Sequence, residues 1–379
     1  MNIAFLTPEY PHLDSGPSGG LGSSIKTLAH ALTEAGHTVW VYVYGQSSDE
    51  YVFDGDVKLI RIRNVRFKGL SWWLTRKKIE RIVNHDIRTF GIDILEVPDW
   101  TGISAWMKLN CPVVMRLHGS DTFFCDLDQR PVKWWNKIQE QTAFKQADGI
   151  IAVSRFVGKH TNRLFHTQTA FEVIPNGIRI ESFSAQNNLA TNTRILYFGT
   201  LIRKKGVLEL PAIFNTIHRQ LPDAELLLIG GDAPDILTHS SSTWELMKPL
   251  FSEDAVKRVR YAGKIPYAAI REQIEHAAVC VFPSFAEACP VSWLEAMAMG
   301  KAIVASNIGW APELITDSVD GLLVHPTQHS KFATKVVELL ESETMRKQFG
   351  DAARQHCIRS FDGMDIAKKS VQFYSTHLS

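Results

Sequence analysis

The densest group of chemistry-bearing side chains lies in Phe282-Pro-Ser-Phe-Ala-Glu287-Ala-Cys-Pro290-Val-Ser-Trp-Leu-Glu295-Ala-Met-Ala-Met-Gly300. A β-rich run ends at Phe282. Pro290 and Gly300 then bracket a helical pattern in which Val291, Leu294 and Ala298 recur on one face. This puts Glu287 in the loop before the helix and Glu295 in its second turn. The amide groups around Cys289, Pro290 (which has no N–H of its own) and Val291 open the helix, and N–H groups there attract anions. A carboxylate beside an anion cradle suits bare phosphate poorly. Two carboxylates suit a ligand that also carries hydroxyls, one accepting from a sugar and the other from a ribose.

Two further loops have anion-binding character. Gly199-Thr-Leu-Ile-Arg203-Lys204-Lys205-Gly206 follows a β-rich run that opens the second half of the chain. Cations at the carboxyl end of a parallel sheet suit a diphosphate, with Arg203 as a fork and Lys205 as a point charge, although an isolated basic triplet reads equally well as a solvated loop. Gly16-Pro17-Ser18-Gly19-Gly20-Leu21-Gly22 leads from the first strand into a helix, where Gly19 and Gly20 would let backbone approach a phosphate. It is not the dinucleotide fingerprint: Ile25 stands where a third glycine belongs, and Tyr44-Gly45-Gln46 ends the second strand without an acidic ribose ligand. Hydride transfer is therefore disfavoured.

Alternating strands and helices must position these loops. The pattern predicts strands at Asn2–Leu6, Val39–Tyr44, Val57–Ile62, Ile94–Val97, Val113–Leu117, Ile150–Val153 and Glu172–Ile174 in the first half. In the second half it predicts them at Ile195–Phe198, Glu225–Ile229, Val259–Ala262, Val279–Phe282, Ala302–Ala305 and Leu322–Val324. Consecutive apolar residues, as in Leu226-Leu227-Leu228-Ile229, mark strands covered on both faces, and the alternation marks βαβ units. Ile25, Leu28, Ala29 and Leu32 place a helix that stops near Gly36. The polar stretch Ser184–Thr193 reads as a linker. The expected domains are 1–184 and 194–361, with a C-terminal helix in 362–379 packing back on the first.

The 379 residues carry 41 basic and 40 acidic side chains, which argues against a nucleic-acid partner. Five scattered cysteines without a Cys-x-x-Cys pair indicate neither a disulfide framework nor a zinc site. No apolar run approaches the roughly 18–20 residues of a membrane span, and no signal peptide is evident, so a cytoplasmic location is expected. Gly69-Leu-Ser-Trp72-Trp73-Leu-Thr-Arg76-Lys77-Lys78-Ile-Glu-Arg81 and Val132-Lys133-Trp134-Trp135-Asn136-Lys137 mix tryptophans with cations. Each reads as a helix with an aromatic core face and solvated cations, as an acceptor-sugar platform, or as a weak peripheral contact with the inner face of a membrane.

The Glu287-x7-Glu295 block, in its Pro-Ser-x-x-Glu…Leu-Glu-Ala-Met-Ala-x-Gly frame, resembles the signature of the retaining glycosyltransferases of family 4. Gly19-Gly20, Glu96-Val-Pro-Asp99-Trp100, His118-Gly119, Ile174-Pro-Asn176-Gly177, Lys205-Gly206, Gly230-Gly231-Asp232 and Glu313 through Gly321 extend the resemblance over nearly the whole chain. It implies the GT-B fold: two Rossmann-like, doubly wound parallel-sheet α/β domains facing each other across a cleft. It also implies transfer of a hexosyl group from a UDP- or GDP-sugar to an acceptor hydroxyl, in polysaccharide or glycoconjugate synthesis, on a saccharide or lipid-linked acceptor. By that resemblance Glu287 holds the donor sugar, Glu295 the ribose, and Cys289, Pro290 and Val291 the diphosphate. Lys205 and Arg203 would neutralise the leaving group in place of a metal, and no cofactor is expected beyond the nucleotide-sugar co-substrate. Gly20 would close on the phosphates and His118 would face the reacting sugar. Gly230 and the turn Gly263–Pro266, with Lys264 and Ile265, would take the nucleotide. Thr200 stands where many relatives carry Arg, and Glu287-Ala-Cys-Pro290 where many read Glu-x-Phe-Gly. A sugar-nucleotide epimerase of the same fold and a non-catalytic nucleotide-sugar-binding subunit are the rival readings.

Overall fold

The computed structural model describes residues 1–13, 15–16, 18–183 and 193–378. The expected linker, apart from Thr193, and Pro17 of the first glycine loop lie outside the described residues. The described chain forms two compact units: Met1–Arg179 with Phe361–Ser379, and Ile180–Ser360.

The first unit holds β1 (Asn2–Thr7), β2 (Thr38–Gln46), β3 (Glu50–Asp54), β4 (Val57–Arg63), β5 (Ile94–Pro98), β6 (Val113–Leu117), β7 (Gly149–Ala152) and β8 (Glu172–Val173). They form one sheet in the order β3-β4-β2-β1-β5-β6-β7-β8. All neighbours are parallel except β3 and β4, which pair antiparallel. The expected strands do not include β3, which escapes the apolar-run criterion and adds an antiparallel edge to an otherwise parallel sheet. It is an edge strand, its Tyr51 and Phe53 point to solvent, and both its ends are acidic. Gly55-Asp56 joins it to β4 as a two-residue hairpin loop, with Gly55 at φ +60°. Asp54 then pins the hairpin to the helix Gly20–Glu34, accepting from Tyr10 Oη at 2.8 Å, Lys26 Nζ at 2.8 Å and His30 Nε2 at 2.9 Å.

The second unit holds β9 (Arg194–Phe198), β10 (Glu225–Ile229), β11 (Val259–Tyr261), β12 (Val279–Phe282), β13 (Ala302–Ala305) and β14 (Leu322–Leu323). They are all parallel, in the order β11-β10-β9-β12-β13-β14. Strand order reverses between β9 and β12. Where two neighbouring strands send their connections to opposite faces, a crevice opens beyond their carboxyl ends, and open α/β sheets bind ligands there. In the first unit the same reversal falls between β1 and β5.

The last helix, Gly363–Ser375, lies in the first unit, and its Ile366, Ala367 and Tyr374 join the core built by β1, β2 and the helix Gly20–Glu34. A buried polar lock fastens it. Arg116 on β6 makes a two-point ion pair with Glu96 on β5 (2.8 and 2.9 Å) and donates to Ser370 Oγ at 2.9 Å. Tyr374 Oη donates to the same Glu96 carboxylate at 2.5 Å.

Candidate active site

The two loops at the reversal of the second sheet carry Lys205 and Glu287. After β9 the chain runs Gly199–Gly206; after β12 it runs Pro283–Pro290. Backbone hydrogen bonds join them directly, with the amides of Phe285 and Ala286 both donating to the Lys204 carbonyl at 2.8 and 3.1 Å. Gly206 adopts φ +65°, and a Cβ there would come within 1.7 Å of the Pro283 carbonyl oxygen, so the contact requires glycine. The lock brings Lys205 Nζ to 2.9 Å from Glu287 Oε1, with both side chains largely shielded (21% and 11% exposed). Ser284 Oγ also donates to Glu287, at 3.3 Å.

Glu295 lies in the second turn of the helix Val291–Ala298 and is almost fully buried. Burial pushes its pKa up to about 7, while the hydroxyl of Tyr267 and the nearby charge of Lys205 pull it back. Tyr267 Oη donates to Glu295 Oε1 at 2.6 Å. Pro290 is the N-cap of this helix and makes no side-chain cap hydrogen bond. Cys289 is buried beside it. Val291, the first helical residue, is half-buried. The structure thus gathers Lys205, Glu287, Cys289, Pro290, Val291 and Glu295 around one sheet reversal.

Arg203 stands differently. Its guanidinium forks onto the buried Asp235, Nε to Oδ1 at 2.7 Å and Nη2 to Oδ2 at 2.8 Å, and this hydrogen-bonded pair holds the Asp235 carboxyl far below the usual range. Of the basic triplet, Lys205 is the member that faces Glu287. Asp235, which lies in no motif, was missed by the sequence reading. Gly230, at φ +146°, packs where a Cβ would fall 1.9 Å from the Gly199 carbonyl oxygen, and its amide donates to the Gly263 carbonyl at 2.9 Å. It fastens the turn carrying Lys264, which is exposed, and Ile265, which is half-buried.

In the first unit Gly19 is the N-cap of the helix Gly20–Glu34, and a Cβ at Gly20 would meet no atom within 4 Å. Glu9, unremarked in the sequence reading, places Oε1 at 2.9 Å from the Gly22 amide and takes one N–H of the expected anion cradle. His118 follows β6. The amides of His118 and Gly119 donate to the two carboxylate oxygens of Asp99 at 2.9 and 3.1 Å. Burial, reinforced by the Arg116 charge, lowers the His118 pKa to about 3, so its ring is neutral. Burial raises that of Asp99 to about 8, against the pull of the two amides. Trp72, Trp106 and Trp135 pack on one another with ring centroids 5.3–5.8 Å apart, and Trp134 packs on Trp135. No helix among the described residues is long and apolar enough to cross a membrane.

Residues 179–356 match the family described as Glycosyl transferases group 1, and residues 18–182 match Glycosyltransferase Family 4. The chain is 32% identical over 257 residues to an alpha-maltose-1-phosphate synthase of Mycolicibacterium smegmatis, a match that covers 62% of this chain and 65% of that protein's length. Among solved structures, sucrose-phosphate synthase from Thermosynechococcus elongatus superposes with a TM-score of 0.80 at 21% identity, covering 99% of both chains. Anabaena HepE, in complex with UDP and glucose, superposes at 0.76 and 18% identity, covering 99% of this chain and all of that one. The two matched stretches adjoin, the strand orders are those of two Rossmann-like units, and the Glu287–Glu295 block sits at a sheet reversal: the chain belongs to the family 4 glycosyltransferases of GT-B fold.

Proposed function

We propose that this glycosyltransferase moves a hexosyl group from a UDP- or GDP-sugar to a saccharide hydroxyl, with retention of anomeric configuration and without a metal ion. The observation that carries this reading is the Lys205–Glu287 ion pair, held at the reversal of the second sheet beside the buried Glu295. With donor bound, Glu287 accepts from hydroxyls of the transferred sugar. Lys205 then turns its charge to the diphosphate, alongside amide groups at the start of the helix Val291–Ala298. Glu295 accepts from the ribose. The neutral ring of His118 hydrogen-bonds the reacting sugar without adding charge to an oxocarbenium-like centre.

The bond between the anomeric carbon and the phosphate oxygen breaks as a bond to the acceptor oxygen forms on the same face. The acceptor proton passes to the departing phosphate oxygen. Glu287 is bound to Lys205 and Ser284, an arrangement that suits a hydroxyl acceptor rather than a nucleophile.

The test is turnover of Lys205→Ala with a UDP- or GDP-sugar chosen by thermal shift. Loss of one preorganised charge at a leaving group costs about 10²–10³ in rate, and kcat should fall by that order with an unchanged circular dichroism spectrum. Near-normal turnover would remove Lys205 from the mechanism. Conversion of the donor to its epimer without any acceptor would assign the epimerase reading instead.

A further inference from the structure

We infer that Tyr267 is a positioning residue of the donor site, whose hydroxyl holds the place on Glu295 that a ribose hydroxyl takes, so that nucleotide binding exchanges one hydroxyl donor for another. The inference rests on the reading of Glu295 as the ribose acceptor. A carboxylate as buried as Glu295 needs a hydrogen-bond donor wherever it is ionised. Tyr267 supplies it at 2.6 Å, the length of a charge-assisted O–H···O⁻ bond.

Two features make this contact exchangeable. Tyr267 is the first residue of the helix Tyr267–Glu275, directly after the Gly263–Pro266 turn, and 58% of its surface is exposed. Its ring can therefore turn outward without opening the core, as the fully buried Tyr374 could not. A cavity of about 210 Å³ also adjoins the pair, lined by Ser182, Phe183, Ala268 and Arg271 together with Tyr267 and Glu295. Arg271 Nη1 donates to the Ser182 carbonyl at 2.8 Å and so holds that wall. Its lining combines the carboxylate and the phenol with the apolar side chains of Phe183 and Ala268. Such a mixed lining suits a pentose, which carries both hydroxyls and C–H groups.

Affinities at pH 8.5, where Glu295 is ionised, test the exchange. Whichever of UDP and GDP stabilises the wild type more is titrated calorimetrically, alongside its 2′,3′-dideoxy counterpart, against wild type and Tyr267→Phe. The wild type should favour the ribose form. In Tyr267→Phe no hydroxyl has to be displaced, so the ribose form should bind about fivefold tighter than to wild type, the worth of one hydrogen bond. The dideoxy form should change by less than about twofold, since it never competed. Equal effects on the two nucleotides, in either direction, would overturn the exchange and leave Glu295 as the ribose acceptor. A wild type that binds both forms equally would overturn the reading of Glu295 and this inference with it. A purely structural role for Tyr267 would move the melting temperature but not the ratio of the two affinities.

Discussion

Glu295 combines two demands that pull in opposite directions. Its burial favours the neutral acid, and the proposed ribose contact favours the carboxylate, which can accept from two hydroxyls. With its pKa raised to about 7, the folded protein keeps a proton that the unfolded chain releases near the ordinary carboxylate value. The resulting destabilisation is absent below the unfolded pKa, grows as pH rises, and is complete above about 7. Glu295→Gln should therefore melt several degrees higher than wild type at pH 8 and close to wild type at pH 5, while binding the nucleotide more weakly at pH 8. Calorimetry at the two pH values checks the sign, and a variant equally stable at both would contradict it. The wild type should bind UDP or GDP more tightly at pH 8 than at pH 6, as Glu295 ionises.

At the scale of elements, the site is a property of two loops held together rather than of either alone. The amides of Phe285 and Ala286 on the Lys204 carbonyl, with Gly206 against Pro283, set the separation of Lys205 from Glu287. Gly206→Ala adds a Cβ where a carbonyl oxygen already sits, at a φ that costs an L-residue roughly 1–2 kcal/mol before the clash is counted. The loops must part, so stability should fall by at least about 2 kcal/mol and activity by a larger factor than in a control such as Gly231→Ala, where an added Cβ would meet no atom within 4 Å. Denaturant titration and initial rates measure the two effects. Little of this was visible in the primary structure. Lys205-Gly206 and Glu287 stood out as motifs, but their adjacency depends on β9 and β12 being neighbours, which strand alternation alone does not dictate. Strand β3 was likewise missed, though Asp54-Gly55-Asp56 carried a hairpin signal. The apolar-run criterion that located the buried strands does not detect an edge strand with its aromatics in water.

At the scale of the whole molecule, the chain crosses back to complete the core of its first unit. Arg116, Glu96, Ser370 and Tyr374 are buried together, and every member of the lock belongs to that unit. Removing one partner of such a pair leaves a buried charge uncompensated. Arg116→Met should cost about 3–5 kcal/mol and Tyr374→Phe about 1.5–3 kcal/mol, the worth of a hydrogen bond to a charged group. Scanning calorimetry should show the transition of the first unit moving down while that of the second stays in place. A shift of both together would mean that the units unfold as one.

The amino-acid sequence on its own determined the α/β class, most of the buried strands, the helices beside the glycine loops, and the family. Each of these depends on local periodicity, turn chemistry or contiguous spacing, which a linear chain carries openly. Tertiary structure alone decided that Lys205 meets Glu287, that Asp235 engages Arg203, that Glu9 takes an amide of the first glycine loop, and that Tyr267 caps Glu295. These are contacts between residues far apart along the chain. Which charges neutralise each other, and which stay available for a ligand, follows from strand order and burial, and neither is written in local spacing.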